Sequence, residues 1–280
     1  MALPQADSGS ARQLEDAARE VAPWVAHLAR IGYVAKAVLY ATVGVLAARA
    51  ALGEGGRTTD LGGALHAVLH APMGSVMLLV IALGLSAYAV WRVVDAITDA
   101  EGRGGDAKGI VRRVGSALRG LAHAALALAA FRLATGSREG GGQRSERLAA
   151  QALGLPAGEW LLWSAAAVML GYGGYQLYRA YAAKLGSRLS LAELPAGAVR
   201  SVIALCRIGI AARGIVFGLI GVLLARAAQH HDPEQAGGIR ESLEMVGSMG
   251  RWPLAVVALG LVAYALYELL NARYRRIRVA

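Results

Sequence analysis

A chain of 280 residues that is 56% hydrophobic, only 17% charged and has a mean hydropathy of +0.45 is too apolar for an ordinary water-soluble domain. The formal net charge of +10 would point to nucleic acid in a soluble protein. Here the cations gather in the segments between long apolar blocks, the pattern of a membrane protein holding its basic loops in the cytoplasm, so nucleic acid is excluded as a partner. Cys206 is the single cysteine, which excludes an intrachain disulfide.

Residues 1–22 are polar and lack the apolar core of a cleavable signal peptide. The stretch QLEDAAREVAPWVAHL reads as an amphipathic helix resting on the inner leaflet. Six apolar blocks follow, at 31–52, 73–97, 114–135, 160–183, 202–228 and 253–272. The first has 22 residues, roughly 33 Å of helix against a hydrocarbon core of roughly 30 Å. The expected fold is therefore an all-α integral membrane protein with six transmembrane helices. Lysine and arginine crowd before block one, between blocks two and three, between four and five, and after six. That asymmetry puts both termini in the cytoplasm, and the arginine-, alanine- and glycine-rich composition reads as a GC-rich bacterial genome, hence a bacterial inner (plasma) membrane.

The blocks form three tandem units. Aligning LARIGYVAKAVLY with its counterparts superposes Gly32, Gly115 and Gly209; Lys36, Arg119 and Arg213; and Tyr40, His123 and Phe217. The second block of each unit aligns Gly84, Gly171 and Gly260, then Tyr88, Tyr175 and Tyr264, then Trp91, Tyr178 and Tyr267. The organisation is thus an N-terminal segment at 1–27, repeat one at 28–105, repeat two at 106–190, and repeat three at 200–280 with a basic tail. Between the spans of each unit lies a shorter segment, at 59–74, 145–158 and 236–250. The helical spacing of Ile239, Leu243 and Val246, with Arg240, Glu241 and Glu244 between them, predicts short amphipathic helices lying flat at the outer interface.

These motifs resemble those of a bacterial membrane family defined only as domain of unknown function 1206, whose tandem units carry an ARxGYxAKGxxY-like start and a GLxGYAxWR-like end. The resemblance spans about residues 28–276 and implies an integral membrane location, with no activity attached. Unit two departs from the pattern, with His123 in place of an aromatic residue and Ala127 in place of Gly44 and Gly221, so a site symmetric over all three units is not expected.

The face through Gly32, Lys36, Tyr40 and Gly44 carries small residues that let helix backbones approach in lipid, so it is expected to meet another helix. Lys36 lies about six residues, roughly 9 Å, inside the cytoplasmic end of its span. Its stem is long enough to snorkel to the headgroups, well below the roughly 2.5–3.5 kcal/mol cost of a charge at the bilayer centre. Arg92, Arg119, Arg179 and Arg213 occupy a similar depth, against Glu268 and Asp95 as ion-pair partners. Two readings follow: the carboxylates pair with neighbouring cations and the rest snorkel, or the five cations bind an anionic headgroup or solute. The functional expectation is a non-enzymatic plasma-membrane protein binding anionic membrane lipid, or other membrane proteins, through this inner-leaflet belt. The alternative is a small transporter or channel for an anionic solute, with a pseudo-threefold arrangement. The Ala, Val, Leu and Gly at the middle of the spans argue against a wet path through it.

Weaker signals add little. Tyr88, Trp91 and their equivalents read as an interfacial aromatic belt. His66 and His70 are four apart, a metal-compatible spacing with no third ligand in the segment, so no metal or other cofactor is expected. The GEGG, GRGG and GGG runs are turn material, because no strand-to-helix Lys-Ser/Thr context follows them.

Overall fold

The computed structural model describes residues 8–54, 57–99, 104–136, 144–182 and 195–274, without the side chains of residues 8–26, 28, 144 and 196. The side chains of the N-terminal amphipathic stretch up to residue 26, the basic tail beyond Tyr274 and most of the glycine-rich run after Thr135 lie outside the described residues. Nine α-helices and no strands occur among those described. They are α1 (Ser8–Leu52), α2 (Leu61–Leu69), α3 (Gly74–Thr98), α4 (Ala107–Ala134), α5 (Arg144–Leu153), α6 (Gly158–Ala182), α7 (Ala196–His230), α8 (Ile239–Ser248) and α9 (Arg251–Tyr274). A 3₁₀ turn, Pro233–Gln235, precedes α8. The boundary read near residue 27 is not a break, since α1 runs through it as one helix.

Five stretches are long and apolar enough to cross a membrane: Ala29–Leu52, Gly74–Thr98, Ala107–Ala134, Gly197–His230 and Arg251–Tyr274. The sequence counts six. The fourth block, α6, has the length but falls short in hydropathy, because Trp160, Trp163, Tyr172, Tyr175, Gln176, Tyr178 and Arg179 dilute its aliphatic residues. Large apolar side chains stay exposed on the outside of the bundle, among them Val80 and Leu83 on α3, Leu118 and Leu121 on α4, and Val256 and Leu259 on α9. Water would penalise such a surface; hydrocarbon does not.

Local chemistry fixes the helix ends. Asp60 and Asp106 cap α2 and α4, each accepting from the backbone N–H three residues on, Gly63 at 2.7 Å and Gly109 at 2.9 Å. Arg113 on α4 donates to the terminal carbonyls of Ala96 and Ile97 at 2.8 Å each, filling orphan acceptors of α3 and joining the two helices.

The long helices pack in the order α4–α3–α1–α9–α7–α6. The three most extensive joints, α3 with α4, α6 with α7 and α9 with α1, each connect one unit to the next, and the last of them links the two ends of the chain. Joints inside a unit, α1 with α3 and α7 with α9, are smaller. In the middle unit α4 and α6 make no comparable contact. The row therefore curls into a ring that is open between α4 and α6.

Glycines show why this packing is close. A methyl group on Gly32 would collide with Tyr88 of α3, and one on Gly44 would lie 2.9 Å from the Ala258 carbonyl of α9. Their counterparts repeat the arrangement, with Gly209 against Tyr264 of α9 and Gly221 2.8 Å from the Leu170 backbone nitrogen of α6. The glycine faces of α1 and α7 are thus each wedged between two helices.

Candidate functional site

Inside the ring, Lys36 of α1 places its Nζ 2.9 Å from Glu268 Oε1 of α9, a pair separated by 232 residues in sequence. Both side chains are buried, and the ammonium also lies over the rings of Tyr33 (5.2 Å) and Tyr88 (4.6 Å). Glu268 Oε1 accepts a second hydrogen bond from the Tyr264 hydroxyl one turn earlier. The snorkelling expected of Lys36 does not occur. Helix rotation decides the outcome: the glycine face that carries Lys36 is locked against α3 and α9, which turns the stem inward.

Arg213, the counterpart of Lys36 on α7, is also buried, and no carboxylate among the described residues pairs with it. Its Nε donates to Tyr40 and one terminal nitrogen to Tyr172, each at 3.0 Å. Four rings surround the guanidinium at 4.7–5.6 Å, those of Tyr40, Tyr172, Phe217 and Tyr264. Cation–π attraction and phenol acceptors offset part of the desolvation cost without neutralising the charge.

Arg92 on α3 donates through Nε to Tyr88 at 2.9 Å and lies 3.4 Å from Asp95 Oδ2. Ser116 of α4 donates to the same Asp95 oxygen at 2.7 Å. Arg179 on α6 donates to Gln176 Oε1 at 3.1 Å and to the Tyr267 hydroxyl at 3.0 Å. Arg119 on α4 has a buried Nε with no hydrogen-bond partner. It lies within electrostatic reach of the Tyr172 hydroxyl across the opening. Buried Gln176 Nε2 and Arg179 Nε are likewise without partners.

The structure therefore gathers all seven sequence-selected residues around one interior. Two cations face carboxylates, Lys36 with Glu268 and Arg92 with Asp95, while Arg119, Arg179 and Arg213 have no carboxylate partner among the described residues. The interior thus holds unanswered N–H donors on Arg119, Gln176 and Arg179 beside an unanswered Glu268 Oε2, and its cations outnumber its carboxylates among the described residues.

Sequence reasoning missed the aromatic lining. Tyr88, Trp91, Tyr264 and Tyr267 were expected at a membrane interface, yet they are buried between helices, and Tyr88 meets Tyr33 edge-on at 5.5 Å. Tyr40, Tyr172, Phe217 and His123 complete the lining, the His123 ring tilted 57° to that of Tyr88 with centroids 4.8 Å apart and its Nδ1 donating to the Arg119 carbonyl at 2.7 Å. A signal was present: Tyr88–Arg92, Tyr264–Glu268 and Lys36–Tyr40 all stand four residues apart, which places ring and charge on one helical face. The histidine pair on α2 does not converge, since His70 turns Nδ1 onto the His66 carbonyl at 2.7 Å. No group of three or more His, Cys, Asp or Glu suited to a metal occurs among the described residues.

Apolar side chains outside and charges within, on helices of membrane-spanning length, define an α-helical membrane protein. Its family is specific. The chain belongs to the family described as Domain of Unknown Function (DUF1206), whose model matches it three times, at residues 31–99, 114–183 and 208–275. A Bacillus subtilis (strain 168) protein, described as the uncharacterized protein YxxB, is 29% identical over 266 residues, covering 94% of this chain and 96% of its own length. No solved structure matches the chain.

Proposed function

We propose that this protein is a non-enzymatic bacterial inner-membrane protein of six spans, both termini cytoplasmic, that binds the phosphate of an anionic lipid at its interior cation cluster. One observation carries the reading: five buried or part-buried cations share an interior with two carboxylates, and three of the five have no carboxylate partner among the described residues. Unpaired charge in a low-dielectric interior is expensive, and an anion with several acceptor oxygens both neutralises it and answers the free N–H groups. In a bilayer the abundant species of that chemistry is a lipid phosphate, and basic pockets between spans suit it. Six spans follow if α6 crosses as well, which its 25 residues allow. Arginine and lysine crowding on one side of that topology supports cytoplasmic ends.

Native mass spectrometry of the full-length protein in mild detergent tests the reading. Wild type should retain phosphatidylglycerol in preference to phosphatidylcholine of the same acyl chains, and Arg213→Gln should lower that preference by about tenfold, the effect of one lost charged hydrogen-bonding group. Equal retention of the two lipids by wild type would refute it.

A further inference from the structure

The opening between α4 and α6 is where the molecule departs from its own repeat. In unit one, Gly32 and Gly84 bring α1 and α3 into contact; in unit three, Gly209 and Gly260 do the same for α7 and α9. The equivalent glycines of unit two, Gly115 on α4 and Gly171 on α6, have no atom within 4 Å of an added methyl. Aromatic residues repeat the contrast. Tyr88 and Trp91 are 2% and 4% exposed and Tyr264 and Tyr267 are 3% and 7% exposed, whereas Tyr175 and Tyr178 are 46% and 67% exposed. Unit two has kept the small residues and rings that close the other two units, but its two helices stand apart.

The buried donors without partners lie on these same two helices: Arg119 Nε on α4, and Gln176 Nε2 and Arg179 Nε on α6. We infer that the α4–α6 opening admits one anionic phospholipid sideways from the bilayer, with its phosphate oxygens on Arg119 and Arg179, its headgroup side at Gly115 and Tyr178, and its acyl chain running inward along Tyr175 and Gly171. This rests on the lipid-binding reading above and adds where the lipid enters and which unit holds it. A lipid satisfies both halves of the opening at once. Its phosphate complements Arg119 and Arg179, which have no carboxylate partner among the described residues, and its chain covers an apolar flank that no described helix covers. A second copy of the chain would bring the same cations to the opening, and charge repulsion would oppose it.

Filling the opening tests this without disturbing the rest of the bundle. Gly115→Leu/Gly171→Leu adds bulk where nothing lies within 4 Å, and Gly197→Leu, at another open glycine, is the control. Full-length proteins are titrated with phosphatidylglycerol, with phosphatidylcholine and with inorganic phosphate, and read by native mass spectrometry and thermal melting. Expected is about a tenfold loss of the single phosphatidylglycerol adduct in the filled variant, with the melting temperature and the control unchanged. Arg119→Gln should weaken phosphatidylglycerol and leave phosphatidylcholine as it was. If wild type prefers phosphatidylglycerol and the filled variant does so equally, the entry site is wrong while lipid binding stands. Wild type without that preference overturns both. Displacement of the adduct by inorganic phosphate alone, or a change of oligomeric mass with the adduct intact, also overturns the assignment.

Discussion

Removing the lysine of the α1–α9 joint measures what a buried charge is worth here. Lys36→Met keeps the stem's volume but takes away the ammonium that sits 2.9 Å from Glu268 and over two tyrosine rings. Glu268 is then left buried, with the Tyr264 hydroxyl as its remaining donor. Breaking a buried pair from one side costs about 3–5 kcal/mol, because the surviving charge has lost its partner. Adding Glu268→Gln removes that stranded charge and still offers Tyr264 an acceptor, so the double variant should lie only about 1–2 kcal/mol below wild type. Glu268→Gln should thus recover about 2–3 kcal/mol in the Lys36→Met background while costing stability in the wild type, where it strands the ammonium, which is the mark of a coupled pair. Equilibrium unfolding of all four proteins in detergent micelles closes the cycle. A Lys36→Met variant within about 0.5 kcal/mol of wild type, or two strictly additive effects, would mean that the ammonium reaches the membrane surface and that the interior pair is wrong.

Gly209→Val should cost about 3 kcal/mol or more, since its new methyl groups meet the backbone of Tyr264. Gly115→Val, at the equivalent but open position, should be neutral or slightly stabilising, and thermal melting of the two variants side by side would show whether the contrast holds. Outside the spans, burial pushes the Glu241 carboxyl up, but the Gly238 N–H at 2.7 Å and Arg240 at 2.8 Å outweigh it and hold its pKa below the usual carboxylate range. A depressed acid stabilises α8 at neutral pH and loses that contribution as pH falls through its folded-state pKa. Protection of α8 amides against hydrogen exchange, relative to the intrinsic rate at each pH, should therefore fall below about pH 4, and in Glu241→Gln it should be low throughout with that pH step absent.

The helices and their threefold recurrence are legible in the sequence because apolar block length and fixed glycine offsets are local properties. The ring order is not. Each second span packs mainly on the first span of the following unit, a choice made by shape complementarity between residues far apart, such as Gly44 against Ala258 and Gly221 against Ala166. The charged residues of the site could be picked out because ionisable side chains within apolar blocks are rare. Their direction could not be picked out, because depth along a helix says nothing of its rotation. Lys36 was assigned to the headgroups and Tyr88 to an interface for that one reason, and both lie inside. Unit two shows the converse: His123 and Ala127 mark it as divergent, but no residue in it announces that α4 and α6 stand apart.

The joint between α1 and α9 has a consequence for how this polypeptide can be cut. Ring-shaped bundles are ordinarily weakest where their first and last elements meet without a covalent link. Here that meeting is among the tightest, and it is the covalently continuous middle unit that gapes. Residues 274 and 29 therefore belong to neighbouring elements, so a polypeptide rearranged to start at α4 and finish at α3, its old ends tied by a linker, would keep every interface of the original.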